Sequence, residues 1–238
     1  MQRYFVRIVD NFAILSEDDV FHLTRVVRAK RGTEIEAVCD GSVYLARVEK
    51  LKPLQIPIIR KIRENNELSN NVILIAALVK GEKMDMVLQK ATELGVSEII
   101  LLQTERTIVK IKKDDKQVKF ERFRKILKEA AEQSKRTKIP SLYRLITLED
   151  LDTIEAKVRM IAYEQLEGSC ASFNKVLDTI KPKDTIAVLI GPEGGFSESE
   201  VEIAMHFGYK PISLGRRILR AETASFYALS VIANHLEK

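Results

Sequence analysis

The chain has 238 residues, which is long enough to bury a substantial core in one large domain or in a small and a medium one. Its 45% apolar and 31% charged residues exclude a disordered or collagen-like chain. The formal net charge is +5, and residues 104–138 alone carry 13 Lys and Arg against 6 Asp and Glu. That segment holds more than the whole positive excess, which indicates either a polyanion-binding face or a solvated helix surface.

The sequence contains no targeting, membrane-spanning or metal-binding pattern. The first residues, "MQRYFVRIVD", lack the apolar stretch of a signal peptide, and the longest uncharged apolar run is far below the ~20 residues that span a bilayer. The two cysteines form no CxxC pair, and the three histidines lack the spacing of metal ligands. We therefore expect a cytoplasmic protein with no membrane association, no disulfide framework and no metal.

Residues 1–68 alternate short apolar runs with Gly and Pro turn signals, which predicts a small β-rich domain. One helix should interrupt it, because Ser16 can cap the run that follows. The apolar residues of this run recur near helical spacing and are predicted to form its buried face: Val20, Leu23, Val26 and Val27. The polar stretch "RENNELSNN" then predicts a linker to a second domain at residues 72–238.

The second domain alternates strands with helices. Short buried strands are predicted at "VILIAALV", "SEIILLQ", "KVRMIAY", "TIAVLIG" and "KPISLG". A helix between the first two should end at Gly95 and bury one face, formed by Met84, Val87, Leu88, Ala91 and Leu94. Such alternation implies an α/β domain whose mainly parallel sheet is covered on both faces.

A glycine-rich loop, "GPEGG", follows the predicted strand "TIAVLI". Ser197 and Glu200 form a capping-box pair that marks the start of the next helix. Gly194 and Gly195 can adopt positive φ angles and let a ligand approach the main chain closely. Ligands of open α/β sheets bind at the carboxyl ends of strands, so the loop is a candidate binding site, and a tight turn without a ligand is the alternative. The spacing fits neither a Walker loop nor the dinucleotide fingerprint.

A second irregular loop, "SLGRRILRAETASFYAL", also follows a predicted strand. It places Arg216, Arg217 and Arg220 beside Glu222, immediately before an apolar helix. A glutamate among arginines indicates either a simple ion pair or a functional carboxylate. Two such loops after neighbouring strands would together form a pocket.

Several motifs of the chain occur in the order and at the approximate spacing of a known family: "KGEKMDMVLQKATELGV", "ERTIVK", "EAAEQSKR", "LIGPEGGFSESE" and "LGRRILRAETA". On these residues the chain resembles the ribosomal RNA small subunit methyltransferase E family. The stretch "HLTRVVRAKRG" in the β-rich start is similar to the family's N-terminal PUA-like RNA-binding domain. The resemblance covers nearly the whole chain.

This resemblance implies a PUA-like β-barrel at residues 1–68 and a SPOUT α/β domain at 72–238, with a deep trefoil knot near the C-terminus. It also implies a homodimer that uses S-adenosylmethionine to methylate nitrogen-3 of a uridine in 16S ribosomal RNA of the small ribosomal subunit. Ribose 2′-hydroxyl or guanine methylation is an alternative within the SPOUT class. A non-catalytic RNA-binding factor for ribosome assembly is another alternative, which would leave the two pocket loops without a purpose.

The resemblance also assigns roles to individual residues. Those expected to contact the cofactor, largely through the main chain, are Leu166, Ile190, Gly191, Gly194, Gly195, Leu214, Gly215, Ile218, Leu219 and Ala224. Glu222 is the candidate base or orienting acceptor, and Arg220 is the candidate cation that stabilises a uridine oxygen. The cations expected to contact RNA are Arg25, Arg28 and Lys83 together with three from the basic segment at 104–138, which its charge rather than the resemblance indicates: Arg106, Lys125 and Arg136.

Two details bear on these roles. Many relatives have one arginine after "LG", whereas this chain has Arg216 and Arg217, which leaves open which of them faces RNA. Methylation at carbon-5 would use a cysteine nucleophile, and Cys170 is the candidate nearest the predicted pocket. A buried structural thiol is the favoured interpretation of Cys170.

Overall fold

The computed structural model of the protein describes residues 1–63, 65–112, 114–163 and 171–237. The chain forms two compact units, of which the first comprises Met1–Glu67 with Ala131–Lys138, and the second comprises Leu68–Ala130 with Ile139–Lys238. The first change of unit falls between Glu67 and Leu68, within the stretch expected to be a linker. The return of residues 131–138 to the first unit has no signal in the local sequence pattern.

The first unit contains eight short strands among its described residues: β1 (Gln2–Phe5), β2 (Arg7–Val9), β3 (Phe12–Ile14), β4 (Glu34–Cys39), β5 (Ser42–Arg47), β6 (Lys50–Leu51), β7 (Leu54–Gln55) and β8 (Ile58–Ile62). Four of them form a sheet in the order β1-β4-β5-β8, with β1 and β4 parallel and the other pairs antiparallel. The remaining four form two hairpins, β2-β3 and β6-β7. The unit is therefore β-rich, as the turn signals predicted.

The predicted helix of this unit begins as α1 (Glu17–Phe21), and the Ser16 side chain accepts a hydrogen bond from the Asp19 amide as its cap. It continues as a π-helical turn, His22–Val26. Wider turns break the spacing of 3.6 residues, so the predicted apolar face forms only in part. Leu23 is buried, Val20 and Val27 are half-buried, and Val26 is 61% exposed.

The second unit is built on a seven-stranded sheet of entirely parallel pairs: β9 (Asn71–Ala77), β10 (Glu98–Leu102), β11 (Leu145–Ile146), β12 (Val158–Ala162), β13 (Ala171–Ser172), β14 (Thr185–Ile190) and β15 (Lys210–Ser213). Their order is β11-β10-β9-β14-β12-β15-β13. The central strands are continuous apolar runs because both faces are buried, in two separate apolar clusters. The predicted parallel α/β sheet is confirmed.

The helices that follow α1 are α2 (Glu82–Glu93), α3 (Lys116–Gln133), α4 (Phe173–Leu177), α5 (Glu198–His206) and α6 (Ala221–Leu236), with a 3₁₀ segment at Leu148–Thr153. The predicted face of α2 is buried from Met84 to Ala91, and Gly95 follows with a φ of +88°. The capping box of α5 also forms, because Ser197 and Glu200 each accept a hydrogen bond from the other's main-chain amide. No helix of the described residues is both long and apolar enough to span a bilayer.

The topology places two described loops at one edge of the sheet. Strands β14, β12 and β15 are neighbours, and parallel strands end at the same edge. The glycine loop follows β14, and the loop at 214–220 follows β15. This edge is the place where open parallel sheets bind ligands.

Candidate active site

A cavity of about 160 Å³ lies at this edge. Nine of the ten residues expected to contact the cofactor line it: Ile190, Gly191, Gly194, Gly195, Leu214, Gly215, Ile218, Leu219 and Ala224. The tenth, Leu166, lies outside the described residues, as does Cys170. The fold thus brings together the glycine loop and the loop at 214–219, which are about twenty residues apart in sequence, so that both line the same cavity.

Main-chain conformation shapes the glycine loop. Gly195 has a φ of +66°, and a Cβ built on it would meet no atom within 4 Å. Gly215, in the second loop, has a φ of +112° and is equally open. A side chain at either residue would be strained and would project into free space next to the cavity. The absence of side chains here keeps room for a ligand.

The other two glycines of the loop do not have positive φ angles, although the sequence allowed one at Gly194. A Cβ on Gly194 would lie 3.4 Å from the Cβ of Arg106, which is an ordinary contact, whereas one on Gly191 would lie 3.1 Å from the buried Phe196 ring. Gly191 therefore serves close packing against Phe196.

Arg106 fastens the glycine loop to the segment that follows β10. Its guanidinium donates a hydrogen bond to the Gly194 carbonyl over 3.0 Å. The adjacent Glu105 amide donates to the Glu200 carboxylate over 2.8 Å, and Glu200 also caps α5. The structure therefore places Arg106 against the candidate cofactor loop, a position that its sequence-based assignment to RNA did not anticipate.

A cluster of three charged side chains lies beside this loop. Lys83 Nζ, at the start of α2, is 3.6 Å from Glu193 Oε1 and 4.0 Å from Glu222 Oε1. Glu193 belongs to the glycine loop and also accepts a long hydrogen bond, 3.4 Å, from the Lys80 amide. The cluster thus links the glycine loop, α2 and α6. Lys83 was predicted to contact RNA, and no sequence signal paired it with Glu222.

Glu222 lies in the first turn of α6, between Ala221 and Ala224, which both line the cavity. The residue is only 9% exposed, and its Oε2 has no hydrogen-bond partner among the described residues. The ion pair of Glu222 within the described chain is with Lys83 rather than with the expected Arg220. Arg220 is exposed at the N-cap of α6. A buried carboxylate oxygen without a donor is costly, which marks it as a group that awaits a ligand.

The lining fits the S-adenosylmethionine that the resemblance implies. Open glycines at 195 and 215 leave room for main-chain contacts with a nucleoside and an amino acid. Ile190, Leu214 and Leu219 supply an apolar wall for a flat base. Among the described residues, no group of three His, Cys, Asp or Glu side chains could hold a metal ion.

The residues expected to contact RNA divide into three groups. Arg25, Arg28 and Lys125 are exposed, the first two in the first unit and the third on α3. Lys83 and Arg106 lie at the candidate site, as described above. Arg136 is 3% exposed, and its guanidinium donates to Glu67 Oε2 over 2.5 Å.

The expectation for Arg136 is therefore corrected. The other oxygen of Glu67 accepts hydrogen bonds from the amides of Thr137 and Lys138, over 2.8 and 3.1 Å. Burial raises the pKa of Glu67, but the hydrogen bond and charge of Arg136 outweigh it and hold the pKa below its ordinary value. A buried arginine in such a pair is a structural element of the first unit and is not available to a phosphate.

Comparison with known proteins identifies relatives of the whole chain. A family model described as RNA methyltransferase domain matches residues 66–233. The chain is 35% identical over its full length to ribosomal RNA small subunit methyltransferase E of Bacillus subtilis (strain 168), of which it covers 98%. It is also 35% identical to the protein of that name from Mesomycoplasma hyopneumoniae (strain 232), with 97% of this chain and 98% of that protein covered.

Solved structures with the same fold contain a bound ligand. A putative methyltransferase from Legionella pneumophila in complex with the cofactor SAM is 31% identical, with a TM-score of 0.89 and coverage of 98% and 97% of the two chains. Ribosomal RNA small subunit methyltransferase E from Neisseria gonorrhoeae, bound to S-adenosyl methionine, is 28% identical with a TM-score of 0.85 and the same coverage.

Proposed function

Because this chain belongs to the ribosomal RNA small subunit methyltransferase E family, an S-adenosylmethionine-dependent group of enzymes, we propose that it methylates nitrogen-3 of a uridine in 16S ribosomal RNA. The single observation that supports this acceptor is the Glu222 carboxylate, which lies between the cavity-lining residues Ala221 and Ala224 and has one oxygen without a partner among the described residues. Nitrogen-3 of uracil carries a proton that must leave, and a carboxylate with an open acceptor position can receive it.

The residues of this chain have two tasks in the reaction. Bound S-adenosylmethionine supplies an electrophilic methyl group on a positively charged sulfur. The glycine loop and the loop at 214–219 would hold the cofactor through main-chain atoms, and the Arg106 contact fixes the loop that contains Gly194. Holding acceptor and donor at near-attack distance is the larger part of the catalytic effect.

Glu222 has the second task, which is the activation of the acceptor. Its carboxylate accepts the proton from nitrogen-3, and negative charge then develops on the neighbouring carbonyl oxygens of the uracil ring. A cation is needed near those oxygens, and Arg220 is the candidate that the sequence provides. The uridine must be unpaired or extruded from a duplex, because nitrogen-3 lies in the Watson-Crick edge.

The exposed cations supply RNA affinity in this proposal. Arg25 and Arg28 on the first unit and Lys125 on α3 can contact phosphates, which positions RNA without reading its sequence. Arg136 is left out of this set because it is buried against Glu67. Selection of the uridine then belongs to the site around Glu222.

The finer architecture and the working state are also proposals. We infer from the family resemblance a PUA-like barrel in the first unit, a deep trefoil knot in the second, and a homodimer that acts on small subunits in the cytoplasm. The β-rich first unit supports the barrel, and Tyr227, exposed on the apolar helix α6, supports a surface that a second copy could cover. Light scattering of the purified protein tests the dimer.

Nucleoside mapping tests the proposed reaction. The protein is incubated with S-adenosylmethionine and small subunits from a strain that lacks this modification, and the digested RNA is examined by mass spectrometry. N3-methyluridine at one position is the expected product. A 2′-O-methylated nucleoside or a methylguanosine would replace the proposed acceptor, and absence of any product would favour a non-catalytic assembly factor.

A further inference from the structure

The ammonium group of Lys83 lies between two carboxylates of the candidate site. It is 39% exposed at its side chain, against 12% for Glu222 and 29% for Glu193. At 3.6 and 4.0 Å, neither contact is a good hydrogen bond, so the ammonium remains able to donate to another acceptor. The Lys83 ammonium has three donors and can therefore donate a hydrogen bond to a ligand bound at the site.

The two oxygens of Glu222 differ in their surroundings. Oε1 is on the side of Lys83, whereas Oε2 is buried and has no partner among the described residues. The Glu222 carboxylate can accept a hydrogen bond from an incoming donor, and an incoming acceptor can accept one from the Lys83 ammonium. The pair therefore presents one acceptor and one donor next to each other.

This pattern complements one edge of uracil. Uracil carries a donor, N3–H, directly between two carbonyl acceptors, whereas nitrogen-3 of cytosine has no hydrogen to donate. Resting on the proposed function, we propose that Glu222 and Lys83 together read the imide edge of the target base. The Glu222 carboxylate accepts N3–H, and Lys83 donates to a carbonyl oxygen beside it. Lys83, rather than Arg220, is then the cation that stabilises the developing charge.

The proton balance of this step is simple. The N3–H bond breaks, an O–H bond forms on Glu222, and the electron pair stays on the ring, shared between nitrogen-3 and the carbonyl oxygens. The charge that Glu222 loses reappears on the base, where Lys83 can stabilise it. A fixed cation thus serves both the ionised carboxylate before the step and the ionised base after it.

The experiment compares Lys83→Met with a matched control, Lys90→Met. Both lysines are on α2 and both pair with glutamates, but Lys90 pairs with Glu93 and lies outside the site. Three quantities are measured for each variant: S-adenosylmethionine affinity by calorimetry, the affinity for unmodified small subunits with its salt dependence, and the single-turnover rate at saturating RNA. Lys83→Arg and Arg220→Met complete the set.

We expect Lys83→Met to slow the single turnover about 100-fold, the size of effect seen when one donor to a developing oxyanion is removed. Both affinities and the salt slope should remain those of the Lys90→Met control, and Lys83→Arg should recover part of the rate. Arg220→Met should slow the reaction less than Lys83→Met does.

Three results would overturn this role for Lys83. A rate equal to that of Lys90→Met would show that the ammonium does not act on the base. A salt slope lowered by about 0.7 to 0.9 together with a weaker RNA complex would make Lys83 a phosphate contact. A larger loss in Arg220→Met would assign the cation to Arg220. The proposed function fails separately, because the identity of the methylated nucleoside is read from the wild-type reaction.

Discussion

Two carboxylates with almost the same burial, Glu67 in the first unit and Glu222 in the second, differ in how completely they are satisfied. Their side chains are 13% and 12% exposed. Both oxygens of Glu67 are bonded, to Arg136 and to two main-chain amides. One oxygen of Glu222 has no partner in the described chain, and the other faces Lys83 at 4.0 Å.

Because Glu67 and Glu222 are equally buried but differ in their hydrogen bonds, burial alone does not identify a functional carboxylate. A buried carboxylate with all its acceptor positions filled stabilises a fold, and one with an open position lowers stability until a ligand arrives. Enzymes retain such strained or unsatisfied groups where the chemistry needs them. Changes around Glu67 should therefore alter stability, and changes around Glu222 should alter catalysis.

The largest expected effect follows Glu222→Gln. An amide cannot take the nitrogen-3 proton, so we expect the single-turnover rate to fall about 1,000-fold, within the range of general-base catalysis. S-adenosylmethionine affinity should change by less than about 2-fold, and the melting temperature should not fall, because the buried charge is removed. Glu202→Gln, an exposed glutamate on α5, is the control. Retained turnover would remove Glu222 from the mechanism.

Arg136→Ala should have the next largest effect, on stability alone. Removal of one partner of a buried pair leaves the Glu67 carboxylate uncompensated and should cost about 3 kcal/mol of unfolding free energy. Arg47→Ala breaks an exposed pair with Glu34 in the same unit and should cost less than about 1 kcal/mol. Urea denaturation measures both. Equal losses would show that the Arg136 pair is no more important than a surface pair.

Gly195→Val tests the cavity wall beside Glu222. A branched side chain in the left-handed region is strained and would occupy the open space, so we expect S-adenosylmethionine affinity to fall about 100-fold, or about 2.7 kcal/mol. Gly208→Val is a matched control, because Gly208 has a φ of +81°, is equally open and lies after α5, away from the cavity. Calorimetry on the folded variants should show the loss for Gly195 only. Equal affinities would exclude this loop from the cofactor site.

The smallest effect concerns pH. The pKa of Glu67 is lowered in the folded state, so its contribution is fully present above the ordinary carboxyl pKa of about 4.3 and is lost as pH falls through the folded value. Wild type should therefore exceed Glu67→Gln in unfolding free energy by about 2 kcal/mol at pH 7, and this gap should shrink progressively as the pH falls below the ordinary carboxyl pKa. Denaturation at several pH values measures this. A gap that persists into acid would mean that the carboxylate charge is not responsible.

Much of the second unit could be predicted from the sequence. Continuous apolar runs such as Thr185–Ile190 identify strands buried on both faces, and the face from Met84 to Ala91 follows helical spacing. The start of α5 could also be predicted, because the capping box of Ser197 and Glu200 is formed by neighbouring residues and needs no tertiary contact. The π-helical turn after α1 could not be predicted, because the apolar spacing of its sequence resembles that of an α-helix.

The roles of the charged residues were harder to predict. Arg106 and Arg136 belong to the basic segment at 104–138, and the pattern of charge assigned both to RNA, as Lys83 was also assigned. The structure places Arg106 on the Gly194 carbonyl, Lys83 between two glutamates and Arg136 against Glu67. The composition of a segment shows that it is basic, but it does not show which of its cations are already paired with a carboxylate or carbonyl of the same chain.

Local periodicity, turn chemistry and motifs were enough to predict the five longer strands of the second unit, the glycine loop and the family, whereas the two-residue strands β11 and β13 were not predicted. Which side chains meet across long separations in sequence depends on the tertiary structure. Glu222 and Lys83 are 139 positions apart, and their contact exists because α2 and α6 pack together in the second unit. Glu67 and Arg136 are 69 positions apart and meet because residues 131–138 return to the first unit. An ion pair depends on distance and burial, which the chain acquires only when it folds.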